Sequence, residues 1–175
     1  MTEKSVEVSI ENGSLVYFEE ILRLYRLAGM EMNKKGYANW SYFYPSVTTI
    51  HNDINKGELF LLKQDKQLLG VIALTTNMDL KYRHVKWQTQ NNKAMYVNRL
   101  AIHPRSQGFG YGTYLMNFAD RLAKEHSCKS LRLDAYSPNK GLLYFYQKRG
   151  FIIHKETISL GDPWQHPFCC LEKVI

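Results

Sequence analysis

The sequence contains few cysteines and no long hydrophobic run. The three cysteines, Cys128, Cys169 and Cys170, are an odd number without metal-type spacing, so we expect reduced thiols that serve as small buried side chains rather than as nucleophiles. No apolar stretch reaches the roughly 18 residues of a membrane-spanning helix, and the first residues, MTEKSVEV, do not resemble a signal peptide. These absences favour a cytoplasmic protein with no membrane partner.

Acidic residues are outnumbered, since 23 Lys and Arg face 16 Asp and Glu, which gives a net charge of +7. The positive residues are scattered, and only the segment from Lys81 to Lys93 is locally basic. A basic stripe on one element, which is typical of nucleic-acid-binding proteins, is therefore missing. We expect no nucleic-acid partner, and a ligand with several phosphates explains the modest surplus equally well.

Repeats, low-complexity segments and linkers are also missing. A chain of 175 residues suits a single domain, residues 1–175, that is long enough to bury a core. Turn residues and changes of hydrophobic period predict strands at residues 6–10, 58–63, 67–75, 95–102, 131–135, 151–160 and 168–174. They predict helices that begin near Leu15, after the N-cap Ser46, after the glycine loop at residues 108–112, and at Asn139.

The segment from Leu100 to Lys124 predicts a strand, a glycine loop and a helix. An apolar strand end precedes Pro104, and glycines follow at positions 108, 110 and 112. The next apolar residues have the spacing of one helix face: Leu115, Ala119, Leu122 and Ala123. Glycine permits a positive φ and a close approach of a ligand, and the free amides of a first helical turn favour a negative group. The segment therefore predicts a phosphate cradle.

Two common phosphate motifs do not fit this cradle. A Walker loop requires a lysine after its last glycine, whereas Gly112 precedes Thr113, and a dinucleotide fingerprint requires G-x-G-x-x-G, whereas the glycines here follow G-x-G-x-G. The segment QGFGYG from Gln107 to Gly112 instead resembles the Q/R-x-x-G-x-G/A motif of the GCN5-related N-acetyltransferase (GNAT) superfamily. In that family the loop amides bind the pyrophosphate of acetyl-coenzyme A.

A second segment supports the same resemblance. Residues 139–151, NKGLLYFYQKRGF, are similar to the family pattern N-x-x-A-x-x-F-Y-x-x-x-G-F, with Leu142 in place of the usual alanine. The predicted order of strands and helices also resembles this family along nearly the whole chain. The resemblance implies an α/β fold with a single mixed, mostly antiparallel sheet of about seven strands, flanked by about four helices.

The resemblance also implies a set of site residues, with acetyl-CoA as cosubstrate and no metal. Tyr146 corresponds to the general acid, and a phenol with an ordinary pKa of about 10 is protonated at neutral pH. The implied cofactor-binding residues are Leu100, Ala101, Ile102, Gln107, Gly108, Phe109, Gly110, Tyr111, Gly112, Thr113, Asn139 and Tyr146.

The general base is where the chain departs from the family. Many members carry a glutamate where this chain has Asn98, and an amide cannot accept a proton at neutral pH. Asn98 can instead position a water molecule. His103, His84, Glu58 and Glu172 are other candidates for the base, and an acceptor amine that binds neutral needs none, so the base stays unassigned.

For the acyl acceptor, aromatic residues give the only indication. The loop from Tyr37 to Tyr44 and the loop around Trp164 flank the site in this fold, and we expect Trp40, Tyr44 and Trp164 to form walls of the acceptor pocket. No acidic cluster for a polycation is evident. The resulting prediction is an N-acetyltransferase that acetylates a primary amine of a small molecule or peptide by direct attack in a ternary complex. The alternative is a non-catalytic acyl-CoA binding or sensing protein, and monomer and homodimer are both open.

Overall fold

The computed structural model describes residues 7–37, 40, 43–160 and 166–175, and within these ranges seven strands form one sheet. The strands are β1 (Val8–Asn12), β2 (Leu59–Gln64), β3 (Gln67–Thr75), β4 (Ala94–Ile102), β5 (Ser130–Tyr136), β6 (Ile152–Ile158) and β7 (Phe168–Val174). The four α-helices in the same ranges are α1 (Phe18–Lys34), α2 (Val47–Asn55), α3 (Tyr111–Glu125) and α4 (Lys140–Gln147). The order across the sheet is β1-β2-β3-β4-β5-β7-β6, so the predicted α/β fold is confirmed.

The sheet is antiparallel except at its centre, where β4 and β5 run parallel. These two strands pair only from Ala94 opposite Ser130 to Tyr96 opposite Arg132. Beyond that point they diverge, although β4 continues for six residues and β5 for four. The sheet therefore opens into a gap at the carboxyl ends of its two central strands.

Both faces of the sheet are covered by helices. On one face α3 and α4 pack on β3, β4 and β5 through a cluster that includes Ile72, Leu115 and Leu133, and on the other face α1 and α2 pack through a cluster that includes Ile21, Ile50 and Val71. The adjacent residues Val71 and Ile72 face opposite clusters, as expected for a central strand that is apolar on both sides. A third cluster near β5 and β7 contains Tyr82, Tyr96 and Phe168.

Several predicted boundaries agree with the structure. Ser46 caps α2, because its Oγ accepts a hydrogen bond of 3.1 Å from the amide of Thr49. Gly57 follows α2 with a φ of 68°.

The predicted first strand, residues 6–10, starts outside the described residues and is wrong at its other end. β1 continues to Asn12, which pairs with Phe60.

The segment between β3 and β4, whose sequence has no clear hydrophobic period, contains two short 3-10 helices, Leu80–Tyr82 and Asn91–Lys93. Among the described residues, no helix has both the length and the apolar character needed to cross a membrane.

Candidate active site

The gap between β4 and β5 continues into a cavity of about 600 Å³. On one side the cavity is bordered by the loop at residues 106–110 and by the beginnings of α3 and α4. On the other side it is bordered by the end of α1 and by aromatic residues of the segment between α1 and α2. We call the first side the cradle half and the second the acceptor half.

The cradle half has the geometry of an anion site. Gly108 and Gly110 have φ values of 86° and 84°, and a Cβ added to either would meet no heavy atom within 4 Å, which leaves the space above the loop open to a ligand. Gly110 is the N-cap of α3 and has no side chain to bond the first-turn amides. The first paired amide is that of Tyr114, which donates to the Gly110 carbonyl at 3.0 Å. In the described part of the chain, the amides of residues 111–113 thus have no acceptor and are available to a phosphate.

The third glycine serves packing between helices. A Cβ on Gly112 would lie 3.3 Å from the Phe145 ring, so its absence allows α3 to approach α4 closely. The loop itself is held by Gln107, whose Nε2 donates to the Ile102 carbonyl at 3.2 Å. Phe109 does not line the cavity and its side chain is 73% exposed. Every other residue predicted to bind the cofactor lines the cavity.

Arg149 adds a cation to the cradle half. Its guanidinium stacks 3.5 Å above the Phe145 ring centre, and it donates hydrogen bonds to the Phe145 carbonyl, at 2.6 Å, and to the Thr113 hydroxyl. Burial lowers the pKa of Arg149, but an arginine remains charged at neutral pH. The sequence did not single out this residue, because a lone arginine in a helical segment does not show which neighbours it meets.

Asn139 and Tyr146 lie two turns apart at the cavity. Asn139 is the N-cap of α4, and its Oδ1 accepts a hydrogen bond of 3.0 Å from the Leu142 amide. Tyr146 is only 5% exposed, and its ring packs edge-on against Phe151 at 5.6 Å between ring centres. Its hydroxyl bonds to no described residue, and burial raises its pKa, as does the nearby Asp134 carboxylate. The phenol is therefore protonated at neutral pH and has a proton to donate.

Asn98 lines the cavity, but the four residues considered as alternative bases do not. The Nδ1 of His103 accepts a bond of 3.2 Å from the Arg105 amide. The ring of the exposed His84 bonds the Thr157 carbonyl at 3.0 Å, and the Glu58 carboxylate accepts a bond of 2.6 Å from Thr75. Each of these side chains forms a hydrogen bond within the protein and does not line the cavity.

Glu172 is the fourth of these candidates, and it is wholly buried in a structural network. Its carboxylate accepts bonds from Arg132 at 3.0 Å and from the Gln88 amide at 2.6 Å, with Thr89 as a further donor. Burial raises the pKa of Glu172, but these donors outweigh burial and hold it below its ordinary value. Since Gln88 and Thr89 belong to the segment between β3 and β4, the network anchors that segment to β5 and β7.

Asp134 is the one carboxylate that lines the cavity among the described residues. It forms an ion pair with Lys81, at 2.7 Å from its Nζ, and accepts a short hydrogen bond from the Tyr82 hydroxyl. Burial lowers the pKa of Lys81, but Asp134 outweighs burial and raises it, so the lysine is charged. Sequence reasoning missed this pair because Lys81 lies where the sequence has no clear period, although the alternation of β5 places Asp134 on the face opposite Leu133.

The acceptor half contains two of the three predicted aromatic walls. Trp40 and Tyr44 line the cavity, with their rings edge-on at 5.9 Å, whereas Trp164 lies outside the described residues. Arg99 also lines this half and is held by two bonds of 2.7 Å from its Nε and Nη2 to the Asp53 carboxylate.

The cysteines lie away from the cavity lining. Burial raises the pKa of all three thiols, in the case of Cys170 to about 12, so they are protonated at neutral pH. In the described ranges, no group of three or more His, Cys, Asp or Glu side chains is placed to hold a metal ion.

Comparison with known proteins identifies the family and the fold. The model of the acetyltransferase (GNAT) family matches residues 21–151. An uncharacterized N-acetyltransferase of Bacillus subtilis, YesJ, is 25% identical over 122 residues, which are 69% of this chain and 68% of that protein.

Two solved structures show the same fold. The GNAT-family acetyltransferase of Streptococcus agalactiae has a TM-score of 0.79 at 21% identity, over 96% of this chain and 95% of that one. The PaiA N-acetyltransferase of Thermoplasma acidophilum, solved in complex with coenzyme A, has a TM-score of 0.70 at 17% identity, over 97% and 99% of the two chains.

Proposed function

Since the chain belongs to the acetyltransferase (GNAT) family, we propose that it is an acetyl-CoA-dependent N-acetyltransferase that acetylates a primary amine of a small molecule or peptide. One observation carries this proposal. The open amides of the α3 N-terminus and the hydroxyl-bearing ring of Tyr146 border the same cavity, so phosphate binding and proton donation meet in one site.

The cradle half fits the cofactor. The amides of residues 111–113, with the glycine loop before them, supply donors for a pyrophosphate, and Arg149 supplies a positive charge beside them. Leu100 and Ile102 line the cavity in the part of β4 that has left its partner β5. We assign their backbone groups to the amide groups of the ligand, beside the bond that the Ile102 carbonyl accepts from Gln107. Acetyl-CoA bound there supplies the acetyl group as a thioester.

Tyr146 acts as the general acid in this proposal. It donates its proton to the sulfur as the carbon–sulfur bond breaks and as the bond between the acceptor nitrogen and the carbonyl carbon forms. The products are the acetamide and the free thiol, and the phenol regains its proton from solvent. The thiols of the described residues are protonated and lie outside the cavity lining, which favours this direct attack over a covalent cysteine intermediate.

An acceptor that arrives as an ammonium loses two protons, one before attack and one as the acetamide forms, and we assign this step to Asp134 and Asn98. Asp134 attracts the ammonium group, and Asn98, on the neighbouring strand, positions the water through which both protons leave to solvent. Lys81 and Tyr82 both bind Oδ1 of Asp134, which holds the carboxylate in place at the cavity.

The second candidate function is an acyl-CoA sensor that has kept the cradle and lost the chemistry. The specific observation in its favour is that Asn98 stands where many family members carry a glutamate.

Calorimetric titration with acetyl-CoA, followed by a panel of amines while free thiol is monitored, separates these functions. Binding followed by thiol release with at least one amine is the expected result. Binding without release for any amine would favour the sensor, and a failure to bind acetyl-CoA would refute the cradle.

A further inference from the structure

The acceptor half of the cavity is lined by more cations than carboxylates. In the described part of the chain, Lys35, Lys81 and Arg99 line it with one carboxylate, Asp134. Lys35 is exposed at the end of α1 and lies 3.8 Å from Glu31, a weak surface contact. Lys81 is paired with Asp134 and Arg99 with Asp53, but Arg99 keeps one guanidinium nitrogen, Nη1, without a partner among the described residues.

Arg99 is fixed so that one end of its guanidinium remains free. The side chain of Asp53, on α2, is 8% exposed, and its carboxylate accepts hydrogen bonds of 2.7 Å each from the Nε and Nη2 of Arg99. Asp53 does not line the cavity, whereas Arg99 does, so the carboxylate supports the guanidinium from behind. Nη1 of Arg99 has no partner among the described residues. A guanidinium group that is fixed in this way is well suited to bind a carboxylate.

The backbone at Arg99 also departs from the ordinary strand. β4 bulges here, because Val71 pairs with Ala101 while Ala73 pairs with Asn98, and Arg99 has a φ of 51°. A positive φ is costly for a residue with a long side chain, and bulges commonly turn a side chain toward a site. Burial lowers the pKa of Arg99, but the Asp53 carboxylate outweighs it and raises the pKa, so the arginine stays charged.

We propose that Arg99 is a specificity-determining residue that binds a carboxylate of the acyl acceptor, so that the acceptor is a small amino acid with its amine at Asp134 and its carboxylate at Arg99. This inference rests on the proposed acetyltransferase function. The cavity favours a small molecule, because its roughly 600 Å³ must hold the reactive end of the cofactor as well as the acceptor. Trp40 and Tyr44 leave an aromatic wall for the side chain of that amino acid.

The test compares amino acids with their amides, such as phenylalanine with phenylalaninamide and leucine with leucinamide. Because an amide group lowers the pKa of the neighbouring amine, the pairs are compared at a pH below both amine pKa values, where both members carry an ammonium group and differ only in the carboxylate. We expect the acid of at least one pair to have a higher kcat/KM by roughly tenfold to a hundredfold, mainly through KM, the range for a charge-assisted hydrogen bond.

The variant that removes the site is the double substitution Arg99→Asn with Asp53→Asn. Replacing Arg99 alone would leave Asp53 buried and unpaired, and asparagine tolerates a positive φ. In this variant the ratio between acid and amide should fall to about one. Arg121→Gln is the matched control, because it removes one positive charge from an exposed position of α3 outside the cavity lining and should keep the wild-type ratio.

The outcomes separate this inference from the proposed function. Thiol release at equal kcat/KM for every acid and amide would overturn the carboxylate site and leave the acetyltransferase standing. If no amine releases thiol, calorimetric titration of the same pairs into the protein loaded with coenzyme A tests whether the acids bind more tightly than the amides. Selective binding of the acids would support the Arg99 site without the transferase, and equal or absent binding would overturn it.

Discussion

Replacing Tyr146 with phenylalanine removes the proposed general acid and little else. The ring keeps its packing against Phe151, and the lost hydroxyl has no hydrogen bond to a described residue, so none of the roughly 0.5–1.5 kcal/mol of a typical hydrogen bond is given up. We therefore expect the free energy of unfolding and the affinity for acetyl-CoA to stay near their wild-type values.

Turnover should respond strongly. General acids contribute a factor of roughly 10² to 10⁴ to the rate, and the lower end applies here. Burial raises the pKa of Tyr146 above that of an ordinary phenol, whereas an ordinary thiol has a pKa of about 8.5, so the proton transfer is uphill. We expect kcat to fall about 100-fold, equivalent to about 2.7 kcal/mol.

The assay is thiol release at saturating acetyl-CoA and acceptor, with Tyr144→Phe as the control. Tyr144 lies on the same helix, is 59% exposed and does not line the cavity, so its variant should turn over normally. Wild-type kcat in Tyr146→Phe would refute the assignment of Tyr146 as the acid. A comparable loss in both variants would show that α4 is disturbed generally.

Two further predictions concern the cradle and the buried network. Gly110→Asp should weaken acetyl-CoA binding at least 100-fold in calorimetry, because it places a negative side chain in the phosphate space. The control is Gly57→Asp, which puts aspartate at a similar positive φ away from the cavity and should bind acetyl-CoA normally. An equal loss of binding in both variants would argue against the cradle. Glu172→Gln should cost about 3–5 kcal/mol in urea unfolding at pH 7, since it leaves Arg132 buried without its carboxylate. Because the folded-state pKa of Glu172 is lowered, its stabilisation is present above the ordinary carboxyl pKa and is lost as pH falls through the folded value. The difference in the free energy of unfolding between wild type and variant should therefore shrink on acidification. A difference that does not change with pH would contradict this.

The sequence predicted the fold well because its strongest patterns are local. The run of apolar residues in β3, the N-cap Ser46 and the strand, loop and helix around the glycines each depend on neighbours within a few positions. The glycine loop and Tyr146 could be placed at one site because both belong to motifs of a known family. The exact end of β1 was missed, since the pairing of Asn12 depends on a strand almost 50 residues later.

The acceptor half was predictable only in part. Aromatic density indicated Trp40 and Tyr44, but the charged residues of this half depend on long-range pairs that no local pattern shows. Asp53 binds Arg99 from 46 positions away in the sequence, and Lys81 forms an ion pair with Asp134, which is also distant in the sequence. Likewise Glu172 resembles a candidate base in the sequence, and only the packing of Arg132 against it reveals a structural residue.

The early separation of β4 and β5 gives the sheet an edge in its own interior. Beyond Tyr96 and Arg132 the two strands no longer pair with each other, so the facing sides of both strands border the gap. Peripheral edges of this kind invite pairing with other chains. This edge lies inside the sheet, where α1 and α3 pack against β4, so it faces the cavity and not a neighbouring protein.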